Sequence, residues 1–236
     1  SVPAGSAAPK PTASLQAAPA GAPVPAATAA APAGETFTVT TDLVKATISA
    51  QGGDIVALEL LKYREHDSKD NNFLLLENKH QYVAQSGLIG ADGIDKSGRP
   101  TYTTSSSIYT LPENDKELIV KLQFQTAAGV KVTKRYTLRR GDYLINVDYL
   151  VENGSGNSWQ ANLFGQLKRD NSPPPSSGSS GGMGLNPFLG AATTQPDDHF
   201  TKFTFDDMAE EPFKATLPGG WIAMIQHYFL SAWIPN

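Results

Sequence analysis

From residue 35 onward apolar and polar residues alternate in short runs, each bounded by Gly, Asn, Asp or Ser turns. A period of two places successive side chains on opposite faces of an extended chain, so the pattern predicts β-strands. They fall over residues 36–41, 43–50, 55–62, 82–88, 118–125, 130–138, 143–152, 159–167 and 221–230. No stretch sustains a helical period, and the predicted class is all-β. The central meander shows the logic: Leu118, Val120, Leu122 and Phe124 share one face, followed by Val130, Val132, Tyr136 and Leu138, then Tyr143, Ile145, Val147, Tyr149 and Val151. These rows make one side of a core. The connections at 126–129, 139–142 and 153–157 are short and contain glycine, which implies antiparallel neighbours. The opposite faces carry Lys131, Arg135 and Arg139 on one strand and Asp148 and Glu152 on the next, so that opposite charges are expected to meet diagonally across the pair. This charged face is expected to be solvated, its cross-strand pairs each contributing about 0.2–1 kcal/mol.

Two segments break the alternation. Residues 171–187, rich in Pro, Ser and Gly, read as an excursion from the sheet, and 90–107 as a surface loop. The block from Gly219 to Pro235 is the most apolar and aromatic of the chain. Read as one strand, it has Trp221, Ala223 and Ile225 on one face and Ile222, Met224 and Tyr228 on the other, which predicts burial between two layers. It is too short and too interrupted by Gln226 and His227 for a spanning helix. An interior strand this close to the last residue suggests a fragment, with Trp233 and Ile234 more exposed than their chemistry prefers.

Composition divides the chain in two. Residues 1–34 contain 14 Ala, 7 Pro, one charge (Lys10) and no aromatic residue. Such a segment cannot offset its ordering entropy by burial, and its prolines favour an extended spacer. The predicted organisation is an Ala/Pro-rich linker over 1–34 and a β-sandwich domain over 35–236. A net charge of −4 and a pI near 5.5 give no footprint for nucleic acid. With no cysteine there are no disulfides, thiol catalysis or Cys metal sites.

Candidate chemistry is sparse. The histidines are His66, His80, His199 and His227, and none has a metal-ligand spacing. His66 and His80 flank polar loops and are expected to be solvated, while His227 reads as a core or edge residue. Asp197, Asp198 and His199 have the right groups for a metal or acid–base pair. Adjacent side chains in an extended segment diverge, however, so a turn is the expectation. Asp206 and Asp207 fail as paired carboxylates for the same reason. Asp92 to Asp95 lacks the alternating oxygens of a calcium loop, and Ser86 lacks the leading glycine of a nucleophile elbow. No catalytic, cofactor-binding or metal site is assigned to any residue.

Several blocks stand out in order along the chain: Gly34-Glu-Thr-Phe-Thr-Val-Thr-Thr-Asp42, Gln51-Gly-Gly-Asp-Ile-Val56, Leu61-Lys-Tyr63, Tyr82-Val-Ala-Gln-Ser-Gly-Leu88, Arg140-Gly-Asp-Tyr143, Asn146-Val-Asp-Tyr149, Phe164-Gly-Gln-Leu-Lys168, Gly219-Gly-Trp-Ile-Ala-Met224 and Ala232-Trp-Ile-Pro235. Together they resemble the large periplasmic domain of the bacterial membrane insertase YidC. The resemblance implies a twisted β-supersandwich similar to the galactose mutarotase-like folds, truncated here at its C-terminal end. It also implies a periplasmic, non-enzymatic interaction or scaffold domain of an inner-membrane insertase that assists insertion and folding of nascent inner-membrane proteins. The insertion residues of that family lie in its membrane part and map to no position here. Contact with the SecDF accessory complex of the Sec translocon would correspond to the region 171–221. No cofactor, metal or nucleic acid is implied. The competing expectation is a carbohydrate-binding or mutarotase-like β-sandwich protein, which needs an acid and a base converging on one sugar ring.

Overall fold

The computed structural model describes residues 34–65, 68, 70–172, 188–195, 198–226 and 228–235. The stretch 1–33, most of the 171–187 excursion, His66, Asp197 and His227 lie outside the described residues. Among the described residues fourteen strands run in the order β1 (Thr36–Thr40), β2 (Val44–Ser49), β3 (Ile55–Arg64), β4 (Asn72–Glu77), β5 (Val83–Ile89), β6 (Ile108–Thr110), β7 (Glu117–Gln125), β8 (Val130–Arg139), β9 (Ile145–Asn153), β10 (Asn162–Lys168), β11 (Leu189–Thr193), β12 (Thr201–Phe203), β13 (Ile222–Gln226) and β14 (Phe229–Trp233). A short 3-10 turn, Asn78–His80, follows β4, and a helical stretch, α1 (Phe205–Glu210), follows β12. The fold is all-β.

Three sheets form. The largest has seven strands in the order β10-β5-β3-β2-β1-β6, with β4 also pairing with β3. Strand β6 runs parallel to β1, and the other pairs of this sheet are antiparallel. The meander β7-β8-β9 makes a three-stranded sheet, and β12-β11-β13-β14 a four-stranded one. Alternation explains the packing. Phe37 and Val39 of β1 and Val44, Ala46 and Ile48 of β2 share one core with Val120 and Leu122 of β7 and Tyr136 and Leu138 of β8. The meander therefore lies as a second layer on the larger sheet, as in a sandwich. Each of these aliphatic side chains contributes about 1.5–3 kcal/mol by leaving water. Met224 of β13 enters the same core, and Phe229 and Trp233 of β14 pack against it, which ties the third sheet to the first.

The structure also corrects the sequence reading. Strands β4, β6, β11 and β12 were not expected. The Phe-Leu-Leu-Leu run of β4 has no alternation, β6 and β12 are three residues long, and the Leu-Gly-Ala-Ala run of β11 has weak β-propensity. The terminal block is not one strand but the antiparallel pair β13–β14. Its faces are not both covered: Met224, Phe229 and Trp233 turn to the core, whereas Leu230, opposite Ile225 on the other face, is exposed, as are Ile222 at the end of β13 and Tyr228 at the turn, the latter 85 % exposed. Ile234 is 60 % exposed, as expected, whereas Trp233 is half-buried and donates its indole N–H to the carbonyl of Gln166 at 3.0 Å. Residues 90–107 are not merely a surface loop, since Asp95 and Tyr102 are buried inside the protein.

Candidate functional site

The most perturbed chemistry lies between the two layers, and it starts at a turn. Gly52 and Gly53 join β2 to β3 with φ of 73° and 60°, a conformation that L side chains rarely adopt. A Cβ at Gly52 would lie 2.3 Å from the Arg99 side chain, and one at Gly53 would lie 2.9 Å from that of Leu122. The turn directs its carbonyls inward, where they need donors. Lys134 Nζ donates to Gly52 O at 3.0 Å and to Ser86 O at 3.2 Å. Arg99 Nη2 donates to the same two carbonyls, at 3.1 and 2.9 Å, and the Tyr136 hydroxyl donates to Gly53 O.

Two carboxylates balance the two cations. Arg99 is paired with both Asp54 and Asp95, and Lys134 Nζ lies 3.8 Å from Asp54. The remaining carboxylate oxygens accept from Gln85 Nε2 and from the amide of Leu88, each at 2.8 Å. Lys134 is 0 % exposed, Asp95 1 % and the Arg99 side chain 13 %. Burial pulls the Lys134 ammonium down to about 8, against the opposing pull of Asp54. It pushes the Asp95 carboxyl up, Arg99 resisting. Burial disfavours the Arg99 charge as well, but Asp54 and Asp95 outweigh it and hold the guanidinium above its ordinary value. The surrounding phenols of Tyr102, Tyr136 and Tyr149 are all raised, chiefly by burial. The result is an electroneutral quartet in which Asp54, Asp95 and Lys134 are buried and the Arg99 side chain keeps 13 % exposure. Each charge in it meets a counter-charge and a further hydrogen bond within the protein.

A second polar grouping lies at the end of β4. His80 was expected to be solvated, yet it is half-buried because β10 runs on into Asp170 beside it. Its Nδ1 lies 2.8 Å from Ser172 Oγ, and its ring nitrogens lie 3.7 Å from Glu77 and 3.9 Å from Asp170. Serine, histidine and carboxylates invite a catalytic reading. The Ser172 hydroxyl, however, donates to Asp170, so the facing His80 nitrogen must donate to Ser172 and is no base for it. The adjoining cavity, lined by Glu77, His80, Tyr82 and Arg169, measures about 10 Å³, room for one water and far too small for a sugar ring.

The other sequence candidates do not converge. His199 is exposed in a turn whose Asp198 accepts from the Phe200 amide and the Thr201 hydroxyl. Asp207 completes a capping box with Thr204 at the start of α1. Ser86 Oγ is bonded to the Tyr149 hydroxyl at 2.9 Å and is buried. The charged outer face of β7–β9 is a ladder of direct partners, not diagonal ones: Arg135–Asp148 at 2.9 Å, Lys131–Glu152 at 3.3 Å and Arg139–Glu117 at 3.8 Å. Among the described residues no three His, Asp or Glu side chains gather as a metal site.

The quartet was missed in the sequence, although a signal was present. Lys134 occupies a core position of the row Val130, Val132, Tyr136 and Leu138, and a lysine in an apolar row requires a buried partner. Blocks that carry the family resemblance meet there: Gln51–Val56 supplies Gly52, Gly53 and Asp54, Tyr82–Leu88 supplies Gln85 and Ser86, and the ring of Phe164 lies under Arg99 at 5.4 Å.

Comparison with known proteins agrees. The YidC periplasmic domain family matches residues 36–236. A membrane protein insertase YidC of Marinomonas sp. (strain MWYL1) is 44% identical over 207 residues, covering 86% of this chain and 37% of the relative. That of Cellvibrio japonicus (strain Ueda107) is 43% identical, covering 90% of this chain and 38% of the relative. That of Dechloromonas aromatica (strain RCB) is 43% identical, covering 99% and 42%. The chain thus spans about two-fifths of the length of these relatives. It belongs to the YidC periplasmic domain family, the part of an inner-membrane protein that faces the periplasm.

Proposed function

We propose that residues 35–236 act as a non-enzymatic scaffold and interaction domain of a membrane protein insertase, held to the membrane by the spacer over 1–34. The observation that carries this reading is the identity of 43–44% to insertases over most of this chain. In this reading nascent inner-membrane proteins are handled by the membrane part of the parent protein. The periplasmic domain contributes contact with the SecDF accessory complex through the region 171–221, where Phe200 and Phe213 are exposed.

Co-purification of the full-length insertase with SecDF tests the partner. Replacing 171–221 by an unrelated linker is expected to abolish recovery of SecDF, while unchanged recovery would overturn the assignment. The mutarotase-like alternative gains no support from the grouping of His80 with Glu77 and Asp170, which adjoins a cavity of about 10 Å³.

A further inference from the structure

Residues 90–107 travel from β5 to β6 with little ladder of their own. They are pinned instead by scattered bonds. Asp95 N donates to Leu88 O at 2.9 Å, Asp92 N to Gln160 O at 3.0 Å, Gly52 N to Pro100 O at 2.7 Å and Tyr102 N to Ala50 O at 2.8 Å. Ile94 packs against both hydrophobic clusters of the interior. The segment thus crosses one end of the space between the layers and reaches into it.

The quartet divides along the same line. Asp95 and Arg99 belong to the crossing segment, whereas Asp54 follows the β2–β3 turn and Lys134 belongs to β8. Each half is a neutral pair, so separating the halves strands no unpaired charge, which is the event that makes a broken buried ion pair so unfavourable. The departing half regains water around two ions. It also frees the Tyr102 hydroxyl and Arg99 Nε, which are buried without hydrogen-bond partners.

We propose that residues 92–102 form a strap across one end of the interlayer space and that Asp54, Asp95, Arg99 and Lys134 are its latch, so that the strap opens locally while the sheets stay folded. The groups facing the latch are Tyr102 on the strap, Tyr136 on β8, Tyr149 on β9, and Gln85 and Ser86 on β5. None of these side chains is charged at neutral pH, so the two pairs dominate each other's field.

Hydrogen exchange on the full-length parent protein, read by mass spectrometry along a shallow urea series, tests the strap. The amides of Gly52, Leu88 and Tyr102, whose acceptors belong to the strap or whose donor does, are expected to exchange at least tenfold faster than those of β2 and β8. Their exchange is also expected to depend little on urea. Arg99→Met is expected to speed those three by a further tenfold, and β2 and β8 by a comparable factor, because the global unfolding through which they exchange also releases the latch. Exchange of all these amides at one rate with one urea dependence in the natural protein would overturn the strap, whatever the variant does. No acceleration of the Gly52, Leu88 and Tyr102 amides by Arg99→Met would overturn the latch.

Discussion

Strand β8 carries four cations on two faces, and the two faces behave as different solvents. Lys131, Arg135 and Arg139 point outward, each opposite a carboxylate of a neighbouring strand, and all three pairs remain partly in water. Lys134 points inward among Val132, Tyr136 and Leu122 and has no exposed surface. Outside, a screened pair is worth little whether made or broken. Inside, the same kind of charge shifts in proton affinity and requires a saturated set of acceptors. Residue chemistry is shared, and the medium sets its weight.

The largest expected effect comes from removing one half of a buried pair. Lys134→Ala or Asp54→Ala should each lower the stability to urea by about 3–5 kcal/mol, because the partner is left charged in the interior. The double replacement Asp54→Asn with Lys134→Met should recover more than half of that loss. Single losses below about 1 kcal/mol would erase the contrast between the faces. Next comes the floor of the cluster: Gly53→Ala should cost about 1–3 kcal/mol, from its positive φ and its approach to Leu122 and Lys134.

A pH dependence should separate the faces again. Lys134 has its affinity lowered from 10.5 to about 8 on folding, so between these values the unfolded chain holds a proton that the folded one has released. Stability from this group therefore rises with pH through that window, by at most about 1.4 kcal/mol per unit. The buried phenols act oppositely once their unfolded forms ionise near 10, so the rise is best read between pH 8 and 9.5. Lys134→Met should flatten it, and a rise that survives this change would assign the effect elsewhere. Smallest of all, Arg135→Ala or Asp148→Ala should cost less than about 1 kcal/mol and nothing measurable in 1 M salt. Thermal denaturation at two salt concentrations reads this directly.

Much of the scaffold was legible. The rows Leu118, Val120, Leu122, Phe124 and Val130, Val132, Tyr136, Leu138 appear in the core or packed against it, because a strand buried on one face writes its orientation at period two. The third sheet was harder to read. Gly190 of β11 is required by the close approach of Phe203, where a Cβ would lie 2.3 Å from its carbonyl oxygen, and Gly-Ala sequences do not advertise a strand. The quartet was illegible for another reason. Asp54, Asp95, Arg99 and Lys134 come from a turn, a crossing segment and a strand far apart in the chain, and only the packed fold makes them neighbours.

The place of β6 at the far edge of the large sheet, beyond β1, explains why the crossing segment exists at all. Strands β5 and β6 run antiparallel to each other but are not neighbours, so the chain leaving β5 must pass β3, β2 and β1 before it can form β6. Four strand spacings amount to roughly 19 Å, which about six extended residues would span. Residues 90–107 are about three times that length. Topology demands the bridge but not its detour into the interior. A shortened connection that ran straight across the edge would preserve every strand pairing of the large sheet while leaving Asp54 and Lys134 to face each other alone.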